Sequence, residues 1–264
     1  MFERPKILLS RCLGISPVRF NGGIINDTYI ERLKNFVEIK DICPEVDIGL
    51  GVPRPRMSIR KIGAEYRFVE YESGRDFTSE MIQYCKDINK IAVQYDGAVL
   101  KAKSPSCGID NANFYNERNN RGKTDGFLGS ALKEIVHFPL TDEGRLRDEG
   151  LRYRFLTAVF SLSDFREGRF DSGGDFVKFH TRYKYLLMTF SPKSLKAMGQ
   201  IVADGNIPPD KKLYMYRKHF AEAFSRTPSV KRHYNTLLHI FGYFSDNLKS
   251  KERNHFLRLA EGYL

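Results

Sequence analysis

"IAVQYDGAVLKAKSPSCG", residues 91–108, decides how this chain is read. Ile91–Leu100 is an apolar run of strand length, and it ends in Lys101 and Lys103. Ser104-Pro105-Ser106-Cys107-Gly108 follows. Pro105 has no amide hydrogen to donate and Gly108 tolerates a positive φ, so the chain must leave regular structure there. A structural cysteine is ordinarily a small buried hydrophobe inside an element, whereas Cys107 is presented at the end of one.

Two more cysteines share that setting. Cys12 in "SRCLG" follows a strand candidate at Lys6–Ser10, and Cys43 in "ICPE" follows another at Val37–Ile42. Helical spacing runs from Asn26 to Phe36, and Thr78-Ser79-Glu80 opens a helix to about Ile88. Strands alternating with helices predict an open, mostly parallel, Rossmann-like α/β sheet. The carboxyl ends of parallel strands converge on the ligand crevice of such a sheet, so Cys12, Cys43 and Cys107 are expected to meet. Cys85 shares a helical face with Met81, Ile82 and Ile88 and reads as core. Residues 109–126 are polar and read as a long loop.

From Thr141 the periodicity becomes helical. Thr141-Asp142-Glu143 is expected to cap a helix continuing through LRYRFLTAVFS, and further helices follow at about 175–190, 192–203, 209–225, 228–245 and 250–263. Charge divides in the same way. The net charge is +11, of which residues 151–264 carry +10 from 20 basic and 10 acidic residues. Five of the six histidines lie in that part, while all four cysteines lie in the first 107 residues. The expectation is two domains, residues 1–140 α/β and 141–264 all-α.

The opening MFERPKILLS does not read as a secretory signal, and no apolar stretch reaches the roughly 20 residues of a membrane span. A soluble cytoplasmic protein, with no membrane partner, is expected. Four scattered cysteines do not form a disulfide framework, which points to ligand or catalytic roles. Three clustered thiolates suit zinc with a fourth ligand, or an iron–sulfur cluster; unclustered thiols are the plain alternative. The absence of any Cys-x-x-Cys pair argues against a zinc ribbon or finger.

"SRCLG…VRFNGG", "CPEVDIGLGVPRPR", "SGRDFT" and "LKAKSPSCG" together resemble the thiouracil desulfidase (TudS-type) family over most of residues 6–136. The resemblance implies a [4Fe–4S] cluster with three cysteine ligands, Cys12, Cys43 and Cys107, and one open iron. It also implies Glu45 as catalytic acid/base and Ser104 as catalytic serine. From the residues alone Glu45 reads as a turn or N-cap carboxylate. Arg19, Gly22, Arg54, Arg75 and Asp76 fall in the same motifs, but turns and ion pairs account for them equally well. After "CPE" this chain has Val46-Asp47-Ile48-Gly49-Leu50, a departure from the family's commoner Gly-Gly-Leu-type stretch that bears on substrate detail.

"KFHTRYKYLLM" and "HYNTLLHIFGYFS" resemble the YbgA-type helical domain fused to such desulfidases. A strong basic excess is a footprint for polyanions. Lys178, Arg182, Lys184, Lys211, Lys212, Arg217, Lys218, Lys231 and Arg232 are interleaved with Tyr and His, a composition suited to phosphate contacts and base stacking. His180 and His239 read as satisfied core residues. The sequence therefore predicts desulfuration of thiolated uracil in RNA, 4-thiouridine in tRNA being the substrate the fused subgroup implies. The competing expectations are a desulfidase of free thiouracil or thionucleosides, and a non-catalytic iron–sulfur RNA-binding or sensing module.

Overall fold

Lys6–Ser10 (β1), Glu38–Ile42 (β2), Gly97–Leu100 (β5) and Leu140–Asp142 (β8) form one four-stranded sheet in the order β2-β1-β5-β8, in a computed structural model that describes residues 3–135 and 138–264. Every pairing is parallel, with Ile7 opposite Ile39 and Gly97, and Val99 opposite Thr141. Ile7, Leu8, Leu9, Ala98, Val99 and Leu100 are buried on both faces, the near-continuous apolar pattern of a covered parallel sheet.

Thr28–Lys34 (α1), Pro44–Asp47 (α2), Thr78–Ala92 (α3) and Phe127–Ile135 (α4) connect or cover the strands. Asp27 caps α1 by accepting from the Tyr29 and Ile30 amides. Asp76, one of the motif residues, accepts from the Thr78 amide at 2.8 Å and so starts α3. Glu149–Arg166 (α5) lays Phe155 and Val159 against Ile7, Leu9 and Val99. Burying each such side chain stabilises the fold by about 1.5–3 kcal/mol.

Met57–Ile62 (β3), Glu65–Glu70 (β4), Ala112–Asn116 (β6) and Arg121–Thr124 (β7) make a second sheet in the order β4-β3-β6-β7. Here the observed fold departs from the sequence reading. Residues 109–126 are not a loop: they contain the antiparallel hairpin β6–β7, whose Phe114 crosses Gly122. The polar composition conceals an alternation that only one buried face requires. Ile91 and Ala92 end α3 rather than beginning β5, since Gly97 is where pairing with β1 starts. Thr141 and Asp142 belong to β8 and do not cap α5; the Asp142 carboxylate accepts from the Arg145 amide at 2.8 Å at the start of a 3₁₀ turn, and α5 is capped by Asp148 through the Leu151 amide at 2.8 Å.

The chain divides into compact units at residues 1–164 and 165–264, later than the expected 140/141 boundary, because the first turns of α5 belong to the core of the parallel sheet. The second unit contains Gly173–Phe190 (α6), Pro192–Ala203 (α7), Pro209–Ala223 (α8), Val230–Gly242 (α9) and Ser250–Glu261 (α10). Its core is aromatic. Phe165 stacks on Tyr216 at 5.6 Å, and beside them Phe179, Tyr183 and Phe220 pack on one another at 4.6–5.3 Å. Among the described residues no helix is long and apolar enough to cross a membrane.

Candidate active site

Neighbouring strands β2, β1 and β5 all point the same way, and each hands the chain to a cysteine: Cys43, Cys12 and Cys107. All three border one cavity of about 480 Å³, together with Glu45, Ser104 and Ser106. The structure thus brings together every residue that the sequence named for the cluster and its chemistry.

Each thiol is set by its local backbone. Cys12 lies in a turn held by the Leu13 amide on the Ser10 carbonyl at 2.8 Å, while the Ile25 amide donates to the Cys12 carbonyl at 2.9 Å. Cys43 is the N-cap of α2, with Pro44 in the first turn. Cys107 sits in a loop whose turn is closed by Ser104: its Oγ accepts from the amides of Ser106 and Cys107, both at 3.2 Å.

That loop is clamped to the start of α4. The Gly126 amide donates to the Gly108 carbonyl at 2.8 Å, and the Leu128 amide to the Ser106 carbonyl at 2.8 Å. A Cβ at Gly126 would stand 2.7 Å from both the Gly108 nitrogen and the Ser106 carbonyl carbon, and one at Gly129 would collide with the Gly108 carbonyl oxygen. The "DGFLGS" stretch is therefore part of the site, although it contributes no side chain.

Glu45 is buried, and both its oxygens are engaged. Oε1 accepts from Ser106 Oγ at 2.8 Å, and Ser106 Oγ lies 2.9 Å from Ser104 Oγ. Oε2 accepts from Arg54 Nε at 2.9 Å and Nη2 at 2.5 Å. The Arg54 side chain is only 6% exposed, and its Nη1 also donates to the Val18 carbonyl at 3.1 Å. Sequence reasoning overlooks Ser106, although it stands inside the Ser104–Cys107 motif, and it gives Arg54 no role. Lys101, at the cavity wall, pairs with buried Glu143 at 2.5 Å, so its charge is already matched. Lys103 is exposed and holds a positive φ of 61°.

Burial raises all three thiols. Cys12 is pushed up to about 12, first by burial and then by the neighbouring charges of Cys107 and Cys43. Burial lifts Cys107 to about 11, against hydroxyl hydrogen bonds from Ser10 and Ser106 that pull it down. Cys43 is raised by burial, with the Val46 amide opposing. Mutual repulsion of this kind favours a cation that all three can share. No three His, Cys, Asp or Glu side chains are arranged to hold a single metal ion among the described residues. Thiols ringing one cavity suit a multi-iron cluster, which holds its thiolates farther apart than one ion does. The all-sulfur donor set fits such a group, with Cys12, Cys43 and Cys107 as the residues to hold it. Cys85 is buried on α3, as expected of a core residue, and does not border the cavity.

In the second unit the nine basic residues named in the sequence do not form one set. Lys178, Arg182, Lys211, Lys231 and Arg232 are exposed. Arg182 lies over Phe179 and Tyr183 at 5.2 and 5.5 Å, and Lys184 lies over Tyr185 and Tyr243 at 5.5 and 5.8 Å. Arg217 and Lys218 are half-buried on α8. Lys212 faces inward instead: it is 8% exposed, and its ammonium donates to the Asp204 and Val202 carbonyls at 2.7 and 3.3 Å. Its role is to tie the α7–α8 turn together. His180 is a partnered core residue, its Nδ1 being 3.1 Å from Tyr216 Oη, and burial lowers its pKa. His239 is exposed, contrary to the core reading.

Comparison with known proteins finds relatives for both parts of the chain. Residues 184–264 match a family described as "Protein of unknown function (DUF1722)". The uncharacterized protein YbgA of Escherichia coli (strain K12) is 29% identical over 94 residues, covering 34% of this chain and 54% of that protein. The chain thus spans about half the length of that relative. The uncharacterized protein YbbK of Bacillus subtilis (strain 168) is 30% identical over 157 residues, covering 54% of this chain and 98% of that protein. A solved structure of the [4Fe-4S]-dependent thiouracil desulfidase TudS has 27% identity, covers 57% of this chain and 98% of its own, and gives a TM-score of 0.46. Residues 7–143, which hold all four cysteines, Glu45 and the Ser104–Cys107 loop, match the 2-thiouracil desulfurase family, and the chain belongs to that family.

Proposed function

We propose that this protein replaces the sulfur of a thiolated uracil by oxygen, on a uracil carried in RNA, with 4-thiouridine in tRNA as the leading substrate and hydrosulfide as the second product. A single observation carries the reading: three strand-end thiols and the Glu45–Ser106–Ser104 chain face the same cavity. When bound to Cys12, Cys43 and Cys107, a [4Fe–4S] cluster supplies an iron with an open position, a soft Lewis acid for a thiocarbonyl sulfur.

The chain's own residues handle water and protons. Glu45 takes a proton from water as its oxygen bonds to the ring carbon. Ser106 and Ser104 extend from Glu45 Oε1 in hydrogen-bond steps of 2.8 and 2.9 Å, a path for handing that proton to the departing sulfur while the second water proton goes to solvent. The C–O bond forms, the C–S bond breaks, and sulfur leaves as hydrosulfide with no net oxidation. Arg54 fixes the carboxylate by two hydrogen bonds, so that Oε1 keeps its aim.

RNA as the carrier is supported by the +10 charge of residues 151–264 and by Arg182 and Lys184 lying over Tyr183 and Tyr243. A base inside a tRNA must leave its stack to enter the cavity, at a cost of about a few kcal/mol. The test is anaerobic incubation of cluster-loaded protein with 4-thiouridine-containing tRNA, followed by digestion and mass spectrometry of the nucleosides. Uridine appearing with stoichiometric sulfide is the expected result. The name of the matched family favours a second reading, desulfuration of free thiouracil. Turnover of the free base with none of the tRNA would establish it.

A further inference from the structure

The second sheet has an inner and an outer face. Ile59 and Phe68 point inward and are buried, with Phe68 edge-on to Phe127 of α4 at 5.6 Å. On the outer face Tyr71 and Tyr115 meet edge to face at 6.0 Å, and the Arg60 guanidinium lies 5.7 and 5.5 Å from their rings. Tyr71 is 46% exposed. Strand alternation puts Asn113 on the same face as Tyr115, and the β6–β7 register sets Lys123 beside Asn113 and Arg121 beside Tyr115.

Of the cations on this face Arg67 is paired with Glu65, but Arg60, Arg121 and Lys123 are not matched by carboxylates among the described residues. Arg60 donates to Asn119 at 2.6 Å, and Lys123 to Asn113 and the Asn111 carbonyl at 2.8 and 3.2 Å, all of them neutral. Arg56 lies over the Phe20 ring at 5.1 Å. Arg121 is exposed and makes no ion pair among the described residues. Glu65 is taken up by Arg67 at 2.5 Å. The face is also continuous with the catalytic cavity, because Arg56 and Asn113 border it. The Tyr71 amide donates to the Arg56 carbonyl at 2.7 Å, which joins the tyrosine pair to the cavity mouth.

We propose that this outer face is a track for single-stranded RNA that leads the target base into the cavity. Unpaired bases stack on Tyr71 and Tyr115, and Arg60, Arg121 and Lys123 neutralise the phosphates, the combination of flat rings and cations that holds single strands without sequence preference. Charge complementarity and continuity with the cavity select RNA as the occupant. The proposal rests on the thiolated-RNA reading, and its test reads binding apart from turnover.

The experiment is fluorescence anisotropy of a labelled oligouridylate on the full chain at a series of salt concentrations. Arg121→Glu combined with Lys123→Glu should weaken binding at least tenfold. It should also flatten the log–log salt dependence by about 0.7 for each phosphate no longer neutralised. Tyr115→Leu should weaken binding while Tyr115→Phe retains it, because stacking needs the ring and not the hydroxyl. Melting temperatures equal to the parent's exclude unfolding as the cause. Parent-like affinity in these variants, or no oligouridylate binding by the parent, overturns the track. Variant-sensitive binding supports it, even if thiolated RNA is not converted to uridine; that second result would overturn the enzymatic reading alone.

Discussion

Ser106 Oγ donates to Glu45 Oε1 at 2.8 Å, and the two residues are 61 positions apart in sequence. The hydrogen bond joins the Cys43 turn to the Cys107 loop and makes the carboxylate the hub of the cavity. Glu45→Gln keeps the shape but cannot accept a proton. It should lower turnover by about 10²–10⁴-fold while leaving the visible absorption of the cluster in place. Loss of that absorption would make Glu45 a structural residue. Ser106→Ala should give a smaller loss in rate, measured against the same substrate.

Arg54 and Glu45 form a buried ion pair. Removing one member leaves an uncompensated charge, so Arg54→Ala should cost about 3–5 kcal/mol in urea denaturation. Arg54→Lys keeps the charge but loses the two-pronged geometry. It should retain most of the stability yet lower the rate, a split that separates aiming the carboxylate from merely holding the fold.

Gly126 touches the cysteine loop backbone to backbone. Gly126→Ala should cost about 1–3 kcal/mol through overpacking, and should lower the iron content of anaerobically loaded protein by displacing Cys107. Unchanged iron content would show that the loop can move without losing the thiol.

The thiols give the metal-free protein a pH dependence. Cys12 and Cys107 titrate near 12 and 11 when folded, against 9.0 ordinarily. Above about pH 9 the folded state therefore holds protons that the unfolded chain has released, and stability falls as pH rises. Below that value both states are protonated and these groups contribute no slope. Urea melts between about pH 8 and about pH 10.5 should show the decline, and Cys12→Ser should reduce it. Iron loading, which displaces the same protons, should become easier over that range.

Lys212 offers a contrast within the basic unit. Lys212→Ala leaves the Asp204 and Val202 carbonyls unpartnered and should destabilise by about 1–3 kcal/mol, read from thermal or urea melts. Lys211→Ala, one residue away but exposed, should leave stability unchanged and weaken tRNA binding.

What can be read from the sequence follows the length of the signals. Cys12, Cys43 and Cys107 are assignable to one place because each follows a strand candidate and the parallel topology does the rest. The helices of the second unit are legible because Pro192, Pro209 and the apolar spacing mark their starts. Hairpin β6–β7 is not, since "ANFYN" and "RGKT" bury little and their polar face resembles a loop. Lys212 is misplaced because linear charge says nothing about which way a side chain turns. The partners of Glu45 are hidden for a related reason: Arg54 and Ser106 stand in recognisable motifs, but their meeting is a three-dimensional fact.

The placement of the three thiols on neighbouring strands also dictates an order of assembly. Cys12 and Cys107 are 95 residues apart in the chain and come together only through the β1–β5 pairing. Such long-range pairing is a late, topologically slow event, unlike the short loop of a metal finger that closes around its ion. The socket must therefore be finished before anything can fill it. On the proposed reading a cluster held by the three thiols enters an already folded protein, and its removal should leave the fold in place.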